Sequence, residues 1–97
     1  MTNGDLFRWG SPIERERRRR IRLCLWAYAY EIANAPIASD EQFDREAMAS
    51  DPTIETGKFD DWWRANFVPY SGQWINSHPD LPGLKRLYDD FANTLQR

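Results

Sequence analysis

The sequence predicts an all-α fold, a small bundle of about four helices with one long N-terminal helix and an aromatic-rich core. Three observations carry that prediction. No segment alternates apolar and polar residues with the period of two that a half-buried strand needs. Apolar residues instead recur at three- and four-residue steps, most clearly around 21–32 and 84–95. Aromatics make up 14 % of the 97 residues (five Trp, five Phe, four Tyr), and large rings let so short a chain bury apolar area without staples.

Residues 1–10 show no periodicity and read as an irregular arm, with Leu6, Phe7 and Trp9 as candidates for tacking it down. Residues 11–97 read as one helical domain. Ser11-Pro12-Ile13-Glu14 is a helix start: Ser11 as N-cap, Pro12 at the first helical position, and Glu14 closing a capping box on the Ser11 amide. A long helix is expected from Pro12 to about Ala33. Its buried stripe is Ile21, Leu25, Tyr28 and Ile32, widened by Leu23, Trp26 and Ala29. The Arg15–Arg20 half is expected to be solvated or to bind something. Asn34, as a left-handed cap, and Pro36 end the helix.

Ser39 caps a second helix, with Gln42 three residues on in the capping-box relation and Asp40 and Glu41 suited to the positive helix start. That helix should reach about Ala49, burying Phe43 and Ala47, with Met48 a further candidate. Asp51 to Gly57 is a connector with little pattern. Phe59, Trp62, Trp63 and Phe67 are spaced for a short third helix at the centre of the core. Pro69, Gly72, Pro79, Pro82 and Gly83 break the next stretch into turns, with Trp74 and Ile75 anchoring one helical turn. Leu84, Leu87, Tyr88, Phe91, Ala92 and Leu95 then mark an amphipathic last helix.

The net charge of −2 is unevenly spread. Residues 8–22 carry seven Arg against Glu14 and Glu16, leaving the rest of the chain strongly acidic. Such asymmetry can mark a nucleic-acid or acidic-partner surface, whereas a pI near 5.3 is far from that of a typical nucleic-acid binder. Arg15, Arg18, Arg19 and Arg22 are the candidate phosphate or nucleic-acid contacts, against the alternative of a solvated face pairing with the surplus acids. The single cysteine, Cys24, excludes a disulfide framework within one chain. No apolar run approaches the span of a bilayer and no signal peptide is visible, so a cytoplasmic protein without a membrane partner is expected. There is no Gly-rich phosphate loop, nucleophile elbow or metal motif, so no catalytic or metal-ligating residue is assigned and no cofactor is called for. His78 lacks a partner at catalytic or metal spacing. Trp62, Trp63, Tyr70 and Trp74 read as core rather than stacking platforms.

The candidate binding site is the corner from Tyr28 to Asp44. Asp40, Phe43 and Asp44 fall at i, i+3 and i+4 and share one face of the second helix, while Tyr30 lies in the last turn of the first. The alternative is purely structural: caps at Ser39, Asp40 and Gln42, a core Phe43, and Asp44 paired with an arginine of the first helix. Tyr28-x-Tyr30-x-x-x-Asn34-Ala35-Pro36-x-x-Ser39-Asp40-x-x-Phe43-Asp44 resembles, without a gap, the N-terminal helical subdomain of bacterial NAD-dependent DNA ligases. The family pattern is Tyr-x-Tyr-(His/Tyr)-x-x-Asp-x-Pro-x-x-(Ser/Pro)-Asp-x-x-Tyr-Asp, and the likeness spans about residues 11–49. It implies a corner that holds the nicotinamide mononucleotide half of NAD. Tyr30 and Phe43 would stack on the ring, Asp40 and Asp44 would clamp the ribose and amide, and Glu31 would stand at the contacting His or Tyr position. Three positions depart from the pattern: Glu31 puts a charge where the family has a ring, Phe43 lacks the tyrosine hydroxyl, and Asn34 replaces an acid.

The family's adenylation lysine motif is absent, since Lys58 and Lys85 are the only lysines and neither has its context. The expectation is therefore a non-catalytic binding protein for a nicotinamide-containing or related nucleotide (NAD, nicotinamide mononucleotide or an NAD-derived nucleotide). Its most concrete version is a phage-encoded sponge that sequesters an immune signal. The alternative is an interaction protein whose Arg-rich helix binds nucleic acid or an acidic protein. A site completed by a second copy of the chain remains open.

Overall fold

Ser11 does start a helix. The computed structural model describes residues 10–95, and α1 runs Pro12–Glu31 with the Glu14 amide donating to Ser11 Oγ at 3.3 Å. The Glu14 carboxylate pairs with Arg18 at 3.7 Å. The expected anchoring by Leu6, Phe7 and Trp9, and the side chain of Leu95, lie outside the described residues. Asn34 takes the left-handed conformation (φ 55°), which folds the chain back so that the Ala35 amide reaches the Ala29 carbonyl at 2.8 Å. α1 ends two residues before the spacing suggests.

α2 spans Asp40–Ala49 with the full capping box: the Gln42 amide donates to Ser39 Oγ at 3.1 Å, and the Ser39 amide donates to Gln42 Oε1 at 2.9 Å. Ala47 is buried and Phe43 half-buried, but Met48 is 73 % exposed and takes no part in the core. α3 spans Asp60–Asn66, a 3-10 turn covers Gln73–Ser77, and α4 spans Leu81–Leu95. Phe59, expected inside the third helix, is instead its N-cap in the left-handed region (φ 59°). α4 begins earlier than its apolar spacing indicates, because Pro82 is tolerated in a first turn and Asp80 caps the helix by accepting the Gly83 amide at 3.0 Å. A Cβ at Gly83 would lie 2.2 Å from that carboxylate, so a side chain there would make Asp80 shift from its present position.

α1 packs against α4, the 3-10 turn and α2, and no strand occurs among the described residues. The aromatic core is built as expected around Trp63, which stacks on Phe67 (ring centroids 4.2 Å, planes 12° apart) and meets Trp74 edge-on at 5.2 Å. Ile75 is fully buried beside Trp74, and Tyr28 meets Tyr88 at 5.1 Å to join α1 to α4. Phe59 stays at the edge of this cluster, partly exposed.

The buried face of α1 is only partly the expected one: Leu23, Tyr28 and Ala29 lie on it as expected, with Leu25 and Trp26 half-buried. Ile21 and Ile32 are exposed, while Leu23, Cys24, Ala27, Tyr28 and Ala29 are buried, and the inward face continues toward the N-terminus through Arg20 and Glu16, 6 % and 1 % exposed. Apolar spacing cannot detect such a face, because its first two members are charged. Burying them is tolerable only because every strong acceptor and donor is met. Glu16 accepts from Arg20 Nε (2.8 Å), Arg19 Nη1 (3.2 Å), Ser50 Oγ (2.6 Å) and the Asp51 amide (3.1 Å). Arg20 also donates to Asp60 (2.8 Å) and to the carbonyls of Asp51 (2.9 Å) and Ile54 (3.1 Å), with its guanidinium carbon 5.3 Å from the Trp63 ring centroid. The patternless connector is thus ordered by side chains of α1. Among the described residues no helix is long and apolar enough to cross a membrane.

Candidate functional site

The turn at Asn34 and the cap at Ser39 set the end of α1 against the start of α2, and the space they enclose is a cavity of about 460 Å³. Tyr30, Glu31, Asp40, Phe43 and Asp44, the five residues singled out by sequence, all line it. Tyr30 is 58 % exposed, Phe43 and Glu31 are half-buried, and both aspartates are exposed. The fourth wall comes from a part of the chain to which sequence reasoning gave no role there, the Tyr70–Gln73 loop before the 3-10 turn.

Small residues bring that wall into place. A Cβ on Gly72 would lie 3.3 Å from the Ala27 Cβ and 3.6 Å from Glu31 Cγ, so the loop rests on α1 with no room for a larger side chain. The Trp74 indole donates to the Ser71 carbonyl at 2.5 Å, tying the loop to the core. Tyr70 is left 82 % exposed at the cavity, which corrects its reading as a core ring. A signal was there: an aromatic between Pro69 and Gly72 sits in a turn, a poor place from which to fill a core.

The chemistry of the lining is one-sided. Glu31, Asp40 and Asp44 supply three carboxylates, and no Arg or Lys lines the cavity among the described residues. None of the three takes a hydrogen bond or ion pair with another described side chain, so the structural pairing of Asp44 with an arginine of α1 does not form among them. Exposed ring faces and unneutralised acids together favour a planar cation and disfavour phosphate.

The arginine run is disposed differently. Arg15 donates to the Gly10 carbonyl at 3.2 Å, and Arg18 pairs with Glu14. Arg19 reaches Glu16 at 3.2 Å and Glu46 at 3.7 Å, and Arg22 bonds the same Glu46 carboxylate. All four candidates thus have acceptors within the chain. Glu46, unremarked in the sequence, is the acid on α2 that pairs with Arg19 and Arg22. They do not line the corner cavity, so an arginine holding the phosphates of a ligand seated at Tyr30 has no support in the geometry.

His78 is half-buried, with its ring edge-on to Trp62 (5.0 Å) and Phe59 (5.3 Å) and its Nδ1 accepting the Asp80 amide at 2.9 Å. Burial holds its pKa below the ordinary value, against the pull of Asp80 and with a smaller push from Lys58. Among the described residues no group of His, Cys, Asp and Glu is placed to hold a metal ion. No protein-family model, curated protein or solved structure matches the chain.

Proposed function

We propose that the protein is a non-catalytic binding module whose corner cavity holds the nicotinamide–ribose end of a nicotinamide-containing or related nucleotide. The observation that carries the reading is the lining of that cavity: ring faces of Tyr30, Phe43 and Tyr70 beside three carboxylates without a cationic neighbour. A nicotinamide ring attached to ribose is flat and positively charged, so it gains from both aromatic faces and carboxylates. Ribose hydroxyls are donors suited to Asp40 and Asp44. The resemblance of residues 28–44 to the ligase subdomain points to the same class of ligand. The phosphates would lie outside the cavity, since its acids repel them. A sequestering role, as in a phage protein that removes an NAD-derived signal, is the biological form of this reading.

Calorimetric titration tests it. Nicotinamide riboside and nicotinamide mononucleotide should bind at one site, ADP-ribose, which lacks the cationic ring, at least tenfold more weakly, and Asp40→Asn or Tyr30→Ala should abolish the heat. Absence of binding by both nicotinamide compounds, or equal binding of ADP-ribose, sinks the proposal.

A further inference from the structure

We infer that a second cavity, on the opposite charge footing from the first, binds a small amphipathic monocarboxylate. This cleft of about 330 Å³ lies between the middle of α1, the Thr56–Phe59 segment and the first turns of α4. The volume is at the lower end of the range for small-molecule sites.

Its walls are apolar and incompletely covered. Ile21 from α1, Phe59 before α3 and Leu87 from α4 line it and remain exposed, although each lies within four residues of a buried core residue, Cys24, Trp63 and Leu84 respectively. Leu84 and Trp63, both buried, and the half-buried Trp62 also line it. Phe59 adds a second, independent sign. It is a bulky residue in the left-handed region, a conformation that costs about 1–2 kcal/mol for a residue with a Cβ. The strain is held in place by its ring contact with His78 and by the Lys58 ammonium 5.5 Å from the ring centroid. Strained residues of this kind concentrate where a ligand is held.

Charge selects the ligand. Of the charged residues lining the cleft, Arg20 is paired with Glu16 and Asp60, and Asp80, the one acid among the described lining residues, is engaged by the Gly83 amide as the cap of α4. Arg17 and Lys58 remain, and neither has a carboxylate partner among the described residues. Arg17 gives one hydrogen bond to the Thr56 carbonyl. Two cations with no carboxylate partner among the described residues, set against the single acid Asp80 of the described lining, face an apolar pocket in a chain of net charge −2. A phosphate would want free amides at a helix start. The start of α4 is already capped by Asp80, which accepts the Gly83 amide at 3.0 Å, and the short α3 carries two acids, Asp60 and Asp61, in its first turn. A singly charged carboxylate on a compact apolar body matches what is left: body against Ile21, Phe59, Trp62 and Leu87, carboxylate at Arg17 and Lys58.

The test is titration of the full chain with octanoate and 3-phenylpropionate at low ionic strength, with 1-octanol and octylamine as controls. Heat is read by calorimetry, and indole and imidazole signals are followed by NMR. The expected result is one site for the carboxylates, at least tenfold weaker binding of the controls, and shifts at Trp62 and His78. Lys58→Glu and Arg17→Glu should each weaken octanoate tenfold or more without changing the circular dichroism spectrum. Leu87→Asp should remove binding. The inference is overturned if neither carboxylate binds, if octanol binds as well as octanoate, if Lys58→Glu leaves affinity unchanged, or if the shifts appear at Tyr70 instead.

Discussion

Arg20 and Asp60 meet at 2.8 Å across forty residues of chain, and their contact decides where the segment between α2 and α3 lies. Asp60 in turn accepts the Thr56 hydroxyl at 2.6 Å and the amides of Thr56 and Gly57 at 3.1 and 2.8 Å. A single guanidinium therefore fixes two acids and two backbone carbonyls beneath the Trp63 ring.

Replacing Arg20 with Met should destabilise the protein by about 3–5 kcal/mol, because Asp60 would lose its cation and the buried Glu16 would keep only Arg19. That is a large share of the roughly 5–15 kcal/mol holding a small domain together. Urea unfolding followed by tryptophan fluorescence measures it. A loss below about 1 kcal/mol would mean that the ion pairs are dispensable.

Acid should weaken the fold in two stages. Burial pushes the Asp60 carboxyl up, but hydrogen bonds from Thr56 and Gly57, together with the charge of Arg20, outweigh it and hold the group at about 2. The unfolded chain binds this proton first, so the stabilisation is complete above the ordinary carboxyl value of 3.8 and is lost as pH falls from there toward 2. His78 acts earlier. Its pKa is lowered by burial, so the unfolded state takes up the proton first as pH falls below 6.5, and stability declines on the acid side of neutrality. Unfolding midpoints measured from pH 7.5 to 3 should show both slopes, with His78→Gln flattening the first and Asp60→Asn the second.

At the corner, binding and stability should separate. Asp40→Asn and Tyr30→Ala alter exposed side chains, and each should change stability by no more than about 0.5 kcal/mol while removing the nicotinamide ligand. Gln42→Ala should do the reverse, costing about 0.5–1.5 kcal/mol through loss of the bond from the Ser39 amide while leaving the lining residues in place. A variant set in which affinity simply tracked melting temperature would identify the corner as structural.

Gly72→Val should displace the Tyr70–Gln73 loop from α1. The added atoms meet Ala27 and Glu31, and overpacking of this kind costs about 1–3 kcal/mol. Nicotinamide riboside affinity should fall at least tenfold even though Gly72 offers the ligand no side chain.

Local chemistry made parts of this architecture legible in the sequence. Ser39 with Gln42, Asn34 at the chain reversal, and the ring spacing from Trp62 to Phe67 each report a short-range physical constraint, and the structure repeats them. The grouping of Tyr30, Glu31, Asp40, Phe43 and Asp44 around one cavity follows from those same two helix ends. What local chemistry could not indicate was tertiary compensation. Glu16 and Arg20 look solvated until Ser50, Asp51, Ile54 and Asp60 are brought to them from thirty or more residues away. Ile21 and Leu87 look like core by their spacing, yet Ile21 is 43 % exposed and Leu87 43 % exposed among the described residues. Tyr70 enters the corner only through the close approach of Gly72 to Ala27.

The one thiol of the chain turns this packing into a measurable clock. Cys24 is buried beneath the second cavity, and desolvation pushes its pKa up to about 12, so almost no thiolate exists in the folded state. Alkylation by iodoacetamide must then wait for the protein to open, and its rate reports the frequency of that opening without any added label. Octanoate should slow the reaction if it seals the cleft above the sulfur, whereas nicotinamide riboside, seated at the far end of α1, should act only through global stability.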